Sequence, residues 1–332
     1  MDEEQDLIKT PAEIMQMASA FQKSRIFLSA YELGVFTALG TGEKTSEEVS
    51  EKLATELNAT ARLMNALVAI GLLRKEKGKY SNQSIASKYL VRDSPDYLSG
   101  LMHLVNLWDT WSHLTESVRK GSASVQEEIN EREEVWLKSF IQAMHARGIN
   151  RAKQVAPLLD FSKVKKILDV GGGSGIFTFT FLKQNDKMNA VIFDLPNVVP
   201  ITREHIYKED MTERVKTIAG DYLKDDIGSG YDMIFLSAVV HSNSYDDNQD
   251  LIRKCADSLN PGGQIVILDY VMNDERTEPI GGTIFAINML VGTQKGDTYT
   301  QTEISDWLLS AGMSSIEIKD VAEGNCLVIA KK

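Results

Sequence analysis

Residues 165–176 read KKILDVGGGSGI, an apolar run that ends in an acid and enters a glycine-rich loop. A glycine loop between a buried strand and a helix is typical of α/β proteins that bind a nucleotide-like ligand. The spacing is Gly-x-Gly-x-Gly at Gly171, Gly173 and Gly175, whereas a dinucleotide fingerprint requires its third glycine one residue later. No Gly-Lys-Ser/Thr sequence closes the loop, so the pattern also excludes a phosphate-binding P-loop.

The acid before the loop indicates the charge of the ligand. Asp169 ends the strand two residues before Gly171, so we expect its carboxylate at the polar end of the ligand. A carboxylate repels a pyrophosphate and attracts a positive group such as an ammonium. A nucleoside that carries a positive charge and no phosphate fits these features, and S-adenosylmethionine has those properties. Gly171 and Gly173 are expected to let the backbone approach its methionine part.

Two further acids stand at the ends of the next two predicted strands. Asp194 lies 19 residues after Gly175, where an acid commonly binds ribose hydroxyls. Asp221, in AGDYL, is expected to accept from the adenine amino group, with Tyr222 or Leu223 packed on the ring. A single acid at a strand end is usually a cap or turn residue. Three acids at the ends of successive strands favour a ligand site.

From residue 165 onward, strand and helix patterns alternate. Continuous apolar strands separated by helices predict a mainly parallel sheet that is covered on both faces. The last two strands lie too close together for a crossover helix, so the final strand is expected to be antiparallel. The predicted fold class is therefore α/β, with a doubly wound, seven-stranded sheet that has a reversed edge. The predicted strands are 165–170, 190–195, 215–220, 231–239, 263–271, 314–321 and 326–332.

The first hundred residues predict a mainly α winged-helix domain. Thr45 and Glu48 form a capping-box pattern, residues 58–73 predict a third helix, and two short β-like segments flank Gly78. DNA binding is one function of this arrangement, but a recognition helix needs several basic or amide side chains. Residues 58–73 are mostly apolar, and the net charge of −11 disfavours nucleic acid. Packing or dimerisation is the favoured role.

The chain as a whole indicates a cytoplasmic protein. Its 332 residues suit two domains, and Cys255 and Cys326 are too few for a disulfide framework. The N-terminus MDEEQDLIKT is acidic where a signal peptide needs a basic region. The longest apolar runs are shorter than a membrane span. We therefore expect no membrane partner and no nucleic-acid partner.

These motifs resemble the class I S-adenosylmethionine-dependent O-methyltransferases, the family of plant caffeate and hydroxyindole enzymes and many bacterial relatives. The matching segments are LDVGGGSG, FDLPNVV at 193–199, AGDYL at 219–223, NPGGQIVILDYV at 260–271 and NMLVGTQKGDTYTQTEISDWLLSAGM at 288–313. The resemblance implies a winged-helix dimerisation domain over 1–100 and a homodimer. It also implies a helical connecting region over 101–160 that contributes to the acceptor pocket, and a catalytic domain over 161–332.

Site residues follow from the resemblance at matching positions. The cofactor S-adenosylmethionine is expected to contact Asp169, Gly171, Gly173, Asp194, Leu195, Asp221, Tyr222 and Ser237. The acceptor, a small hydroxylated and aromatic molecule, is expected to contact Trp108, Phe140, Met144, Asn288 and Met289. Met and aromatic walls suit a flat acceptor. No His/Asp/Glu cluster has metal-ligand spacing, so no metal is expected.

His241 is the candidate general base, because it lies just past the carboxyl end of the fourth strand, where ligands of open α/β sheets gather. The resembled family places its base histidine here, commonly followed by Asp-Trp, where this chain has Ser242 and Asn243. One of two supporting glutamates of the plant enzymes matches Asp269, which is expected to orient the imidazole. The other falls near Thr298, where no acid stands.

Two alternative functions stay open at the level of the sequence. A relative that keeps the cofactor can catalyse another reaction, such as decarboxylation or hydroxylation of a polyketide-like ring, and the missing second acid motivates that alternative. A ligand-sensing winged-helix regulator is the other, and the negative charge of the chain disfavours it.

Overall fold

The computed structural model describes residues 8–124, 134–322 and 324–332. The chain divides into two compact units between Asn106 and Leu107. The boundaries predicted from the sequence, at residues 100 and 160, stay predictions.

Unit 1 is mainly helical and contains one β-hairpin. Its elements are α1 (Pro11–Ser19), α2 (Phe21–Leu33), α3 (Val35–Leu39), α4 (Ser46–Leu53), α5 (Leu57–Ala69), β1 (Leu73–Glu76), β2 (Lys79–Asn82) and α6 (Ser84–Tyr89). The capping box at the start of α4 is confirmed, since Thr45 N–H donates to Glu48 Oε2 over 2.7 Å and Glu48 N–H donates back to Thr45 Oγ1. The hairpin is also confirmed, with Leu73 opposite Asn82.

Helix α5 is the element for which the sequence left DNA binding open. It buries Met64 and Leu67 completely, as its apolar pattern predicts. The helix ends at Ala69, earlier than predicted, because Gly71 adopts φ +84° and turns the chain into β1.

Unit 2 is built on a large sheet with helices on both faces. Helix α7 (Leu101–Ser112) spans the boundary between the units. The remaining helices are α8 (Leu114–Lys120), α9 (Glu134–Val155), α10 (Ile176–Leu182), α11 (Val199–Lys208), α12 (Tyr245–Ser258), α13 (Ile280–Gly292) and α14 (Gln301–Ser310). The strands are β3 (Lys166–Val170), β4 (Asn189–Asp194), β5 (Val215–Ala219), β6 (Tyr231–Ser237), β7 (Leu259–Met272), β8 (Tyr299–Thr300), β9 (Ser314–Ala322) and β10 (Asn325–Lys331).

The strand order is β5-β4-β3-β6-β7-β10-β9, which confirms the predicted α/β fold with a mainly parallel sheet. The predicted antiparallel last strand is confirmed, because β10 runs antiparallel to both neighbours. The predicted reversed edge is wrong, since β10 lies between β7 and β9. Its continuous apolar run is buried on both faces, whereas β9 is polar enough for the edge. The two-residue strand β8, beside β7, was not predicted.

The topology determines where a ligand site lies. Strands β3 to β7 each pair in parallel with their neighbours in this set, so their carboxyl ends share one edge of the sheet. The chain order reverses between β3 and β6, and open α/β sheets bind ligands beside such a switch point. Among the described residues, no helix has the length and apolar character to cross a membrane.

Candidate active site

The glycine loop connects β3 to α10 at the switch point. Gly171 and Gly173 have φ values of +64° and +56°, a region that side chains other than glycine rarely adopt. A Cβ on Gly171 would lie 3.0 Å from Val239 Cγ2 and 4.0 Å from Tyr222 Cε1. The bare backbone therefore keeps open a space that a side chain would fill.

Asp169 lies beneath this loop and is only 2% exposed. Its Oδ2 accepts a hydrogen bond of 2.6 Å from the Thr178 hydroxyl, and its carboxyl group packs under Gly172. Burial raises the pKa of Asp169 to about 7, with a smaller contribution from Asp194. The structure thus gives this acid a partner within the chain, and its predicted contact with a ligand stays a prediction.

Asp194 joins the second strand end to the glycine loop. Its Oδ2 accepts from the Gly173 N–H over 2.7 Å, and its Oδ1 accepts from the Leu195 N–H over 2.8 Å. Burial raises the pKa of Asp194 to about 6, although these two hydrogen bonds oppose the rise. A carboxylate has about four acceptor sites, so two remain for the hydroxyl groups of a ligand.

The third acid, Asp221, follows β5 and forms an ion pair with Lys224 over 2.8 Å. Burial raises the pKa of Asp221, but the hydrogen bonds from Lys224 and from the Leu223 N–H outweigh it, so the pKa is lowered. Tyr222 donates its hydroxyl to Asn243 Oδ1 over 3.1 Å. Ser237 is the last residue of β6 and is half-buried at the same sheet edge.

His241 lies in a single 3₁₀ turn, Val240–Ser242, which two residues separate from the end of β6 at Ser237. Its Nδ1 is 2.9 Å from both carboxylate oxygens of Asp269, which projects from β7 and is 3% exposed. Because an ionised carboxylate only accepts, Nδ1 carries the hydrogen and Nε2 is the acceptor of the neutral ring. Phe285 of α13 contacts the imidazole edge-on, with ring centroids 4.7 Å apart.

Helix α9 carries two predicted acceptor residues, Phe140 and Met144, and both are half-buried. Phe140 packs in the same apolar cluster as Leu195, a predicted cofactor contact. A hydrogen bond of 2.9 Å between His145 Nδ1 and Ser174 Oγ ties this helix to the glycine loop. The sequence analysis missed that link, because it depends on how two distant segments pack.

Helix α13 carries the other predicted acceptor residues. Met289 is buried, and Asn288 accepts from the indole N–H of Trp111 over 2.9 Å through its Oδ1. Trp111 was not predicted, whereas the predicted Trp108 lies one turn earlier on α7 and is half-buried. Phe285, also missed, is one turn from Asn288 and therefore connects this wall to His241.

The position expected for a second acid is Thr298, which is 2% exposed. Its neighbour Asp297 donates its backbone N–H to the carbonyl oxygen of His241 over 3.0 Å. The Asp297 carboxylate pairs with Arg276 over 3.2 Å. Asp297 therefore contacts the backbone of His241 through its N–H, while its carboxylate is directed to Arg276. No group of His, Cys, Asp or Glu suited to a metal ion occurs within the described ranges.

Comparison with known proteins agrees with this geometry. An O-methyltransferase domain matches residues 111–314, and an O-methyltransferase dimerisation domain matches residues 15–92. The chain is 31% identical to the 3-hydroxy-5-methyl-1-naphthoate 3-O-methyltransferase of Streptomyces sahachiroi, over 92% of this chain and 90% of that protein. It is 27% identical to the Streptomyces glaucescens tetracenomycin polyketide synthesis 8-O-methyl transferase, over 98% of each chain.

Among solved structures, human N-acetylserotonin methyltransferase in complex with SAM superposes with a TM-score of 0.84 at 25% identity, covering 100% of this chain and 99% of the human one. Fold and site thus define a methyltransferase of the S-adenosylmethionine-dependent class. The chain belongs to the O-methyltransferase family, which confirms the resemblance, the activity class and the cofactor predicted from the sequence. The relatives give no support to the regulator or to non-methylating chemistry.

Burial of Asp169 has a consequence for stability. Its folded pKa of about 7 exceeds the ordinary value near ~3.9, so the folded state holds the proton more tightly. The stabilisation is complete below the unfolded pKa and is lost as pH rises through about 7. Between pH 5 and pH 8, we expect the free energy of unfolding of wild type to fall by about 2–3 kcal/mol more than that of Asp169→Asn, because the amide does not titrate.

Urea unfolding at pH 5 and pH 8 measures this difference. Asp186→Asn is the control, because the Asp186 side chain is fully exposed. An equal pH dependence in wild type and Asp169→Asn would contradict the buried, protonated carboxyl group.

Proposed function

We propose that this protein transfers the methyl group of S-adenosylmethionine to a hydroxyl group of a small aromatic acceptor, with His241 as general base. The observation that carries the proposal is the His241–Asp269 pair at the carboxyl edge of the sheet, next to the glycine loop. A phenol has a pKa near ~10 and is mostly protonated at neutral pH, so its methylation needs a base, and histidine is the side chain most often used in that role.

The residues of the cofactor site fit a phosphate-free nucleoside. Gly171 leaves a space beside Val239 and Tyr222 that a Cβ would fill, and Asp194 keeps free acceptor sites next to the Gly173 backbone. We assign the ribose hydroxyls to Asp194, the adenine to Asp221 and Tyr222, and the methionine part to the glycine backbone. Leu195 and Ser237 complete the predicted contacts. When bound, S-adenosylmethionine supplies a methyl group on a positively charged sulfur.

The protein's own contribution is to orient the acceptor and to accept its proton. Nε2 of His241 takes the hydroxyl proton, while Asp269 holds Nδ1–H and stabilises the imidazolium that results. Phe285 limits rotation of the ring by its edge-on contact. Orientation of this kind can contribute several kcal/mol to lowering a barrier.

The acceptor pocket belongs to the same proposal. Half-buried Phe140 and Met144 on α9, with Asn288 and Met289 on α13, offer mainly apolar walls. Such walls suit a flat, aromatic molecule. The names of the relatives, a naphthoate and a tetracenomycin methyltransferase, support this class of acceptor. Trp108 stays a predicted contact, and Trp111 joins it through its hydrogen bond to Asn288.

The base assignment is tested with His241→Ala. We expect kcat to fall about 10²- to 10⁴-fold, because a positioned general base contributes this range. S-adenosylhomocysteine affinity should stay within twofold of wild type. Deuterated-methyl S-adenosylmethionine, a panel of hydroxynaphthoates and hydroxyindoles, and mass spectrometry of the product provide the measurement.

Ser242→Ala is the matched control, since it shortens an exposed side chain in the same turn. Asp269→Asn should lower kcat as well, because an amide does not fix the histidine tautomer as a carboxylate does. Wild-type turnover in His241→Ala would exclude this histidine as the base.

We also propose that the protein is a homodimer formed through unit 1, the part matched by the dimerisation domain. Helix α1 exposes Ile14, Met15 and Met17, and Phe21 follows on α2, all with exposures above half. An apolar surface of this kind is typical of an interface. A cytoplasmic location is part of the proposal, and buried, unpaired Cys255 and Cys326 are compatible with it.

Sedimentation equilibrium tests the dimer. We expect Met17→Glu to weaken dimerisation at least tenfold, because it adds a charge to the apolar face. Gln16→Glu adds the same charge at the neighbouring exposed position of α1 and should leave the dimer intact. Equal behaviour of the two variants would argue against this face as the interface.

A further inference from the structure

The two loops that flank α13 are joined by one guanidinium group. Arg276, in the loop between β7 and α13, donates from Nη1 to the Thr298 carbonyl over 2.6 Å and to Asp297 Oδ2 over 3.2 Å. Its Nη2 donates to Glu303 Oε1 over 2.6 Å. The residues that accept these hydrogen bonds all lie after α13. The contacts therefore join the loop before α13 to the chain that follows it.

The loop after α13, which Arg276 binds, also contacts the backbone of His241. Asp297 donates its N–H to the His241 carbonyl over 3.0 Å. A Cβ on Gly296 would lie only 2.5 Å from that same carbonyl oxygen, so the loop approaches the turn as closely as glycine permits. Any displacement of residues 296–298 is therefore transmitted to the backbone that carries the imidazole.

Helix α13 lies between the two joined loops and contacts the imidazole directly. Its Phe285 meets the ring edge-on, so the base is bounded by this helix and by the loop that follows it. Apart from Asp269, the histidine is contacted by α13 and by the loop that follows it. Arg276 lies in the loop before α13 and binds the loop after it.

Several observations indicate that the position of Arg276 is specified by its surroundings. Its φ of +56° lies in the left-handed region, which non-glycine residues adopt uncommonly. Glu303 is fixed as well, because its other oxygen caps α14 by accepting the Thr300 N–H over 2.8 Å. A single half-exposed ion pair contributes little, but three hydrogen bonds from one planar guanidinium restrict geometry strongly.

We infer that Arg276 is a positioning residue for the base: it holds the loop of residues 296–298 against the His241 carbonyl. This inference rests on the proposed role of His241 as general base. The chain therefore supports its histidine through a side-chain carboxylate, Asp269, on one side and through a clamped backbone on the other. Asp297 acts through its N–H, and its carboxylate is directed to Arg276.

Arg276→Met removes the three hydrogen bonds and keeps much of the side-chain volume. We expect kcat at saturating acceptor to fall about tenfold, with S-adenosylhomocysteine affinity within twofold of wild type, because the glycine loop makes none of these contacts. Arg276→Lys should recover kcat to within threefold. Arg253→Met is the matched control, since Arg253 pairs with Asp250 on the exposed face of α12 and should keep wild-type kcat.

A spectroscopic readout separates positioning from a general loss of stability. The Nδ1–H proton of His241, identified in ¹⁵N-histidine spectra by its absence in His241→Ala, should broaden or shift in Arg276→Met and return in Arg276→Lys. If Arg276→Met folds poorly, Arg276→Lys and Glu303→Gln carry the same comparison, with smaller decreases in kcat expected.

The possible outcomes are distinct. Wild-type kcat and an unchanged Nδ1–H signal in Arg276→Met, with an inactive His241→Ala, would overturn the role of Arg276 alone. A decrease in Asp297→Asn as large as in His241→Ala would also overturn it, because the carboxylate itself would then support the base. An active His241→Ala would instead overturn the base assignment on which the inference rests.

Discussion

The hydrogen bond from the Gly173 N–H to the Asp194 carboxylate is the constraint on which the proposed cofactor site depends. It joins the loop after β3 to the end of β4, at the point where the chain order of the sheet reverses. The conformation of the loop needs glycine, since φ at Gly173 is positive. An acid in this place fixes the loop and still has acceptor sites left, as the proposed binding of ribose hydroxyls requires.

Charge at the sheet edge is graded by burial. Burial raises the pKa of Asp169 to about 7 and that of Asp194 to about 6, whereas Lys224 and nearby donors lower the pKa of the more exposed Asp221. The deepest acid is thus the one least ionised at neutral pH. Attraction of a positive ligand by Asp169, the first argument from the sequence, is weaker than a free carboxylate would provide. Asp194 and Asp221 are more fully ionised, which suits the contacts with hydroxyl and amino groups proposed for them.

The strand positions, and the place of His241 near the end of a strand, could be predicted because they depend on local pattern. The apolar runs of β3, β4 and β6 mark buried parallel strands, and His241 lies in the short turn beyond the end of β6. The inner position of β10 is also encoded, in the continuous apolar run of residues 326–330, whereas the short connection to β9 indicates only that the two strands are antiparallel.

Other parts of the site could not be predicted, because they depend on tertiary packing. The His145–Ser174 hydrogen bond joins residues 29 positions apart on a helix and a loop. Arg276, which precedes α13 in the sequence, binds Asp297 in the loop that follows α13. The periodicity of the sequence does not predict that contact. The resemblance gave only the absence of an acid at Thr298, and it did not indicate that the neighbouring Asp297 would contact the His241 backbone through its N–H.

Calorimetric titration with S-adenosylhomocysteine, on wild type, Asp194→Ala and the exposed control Asp186→Ala, tests the central claim most directly. Hydrogen bonds to a charged group contribute about 1.5–3 kcal/mol, so we expect Asp194→Ala to bind about 10- to 100-fold more weakly, while Asp186→Ala binds like wild type. Unchanged affinity in Asp194→Ala, or no binding to wild type, would contradict a phosphate-free nucleoside held by the acids at this sheet edge.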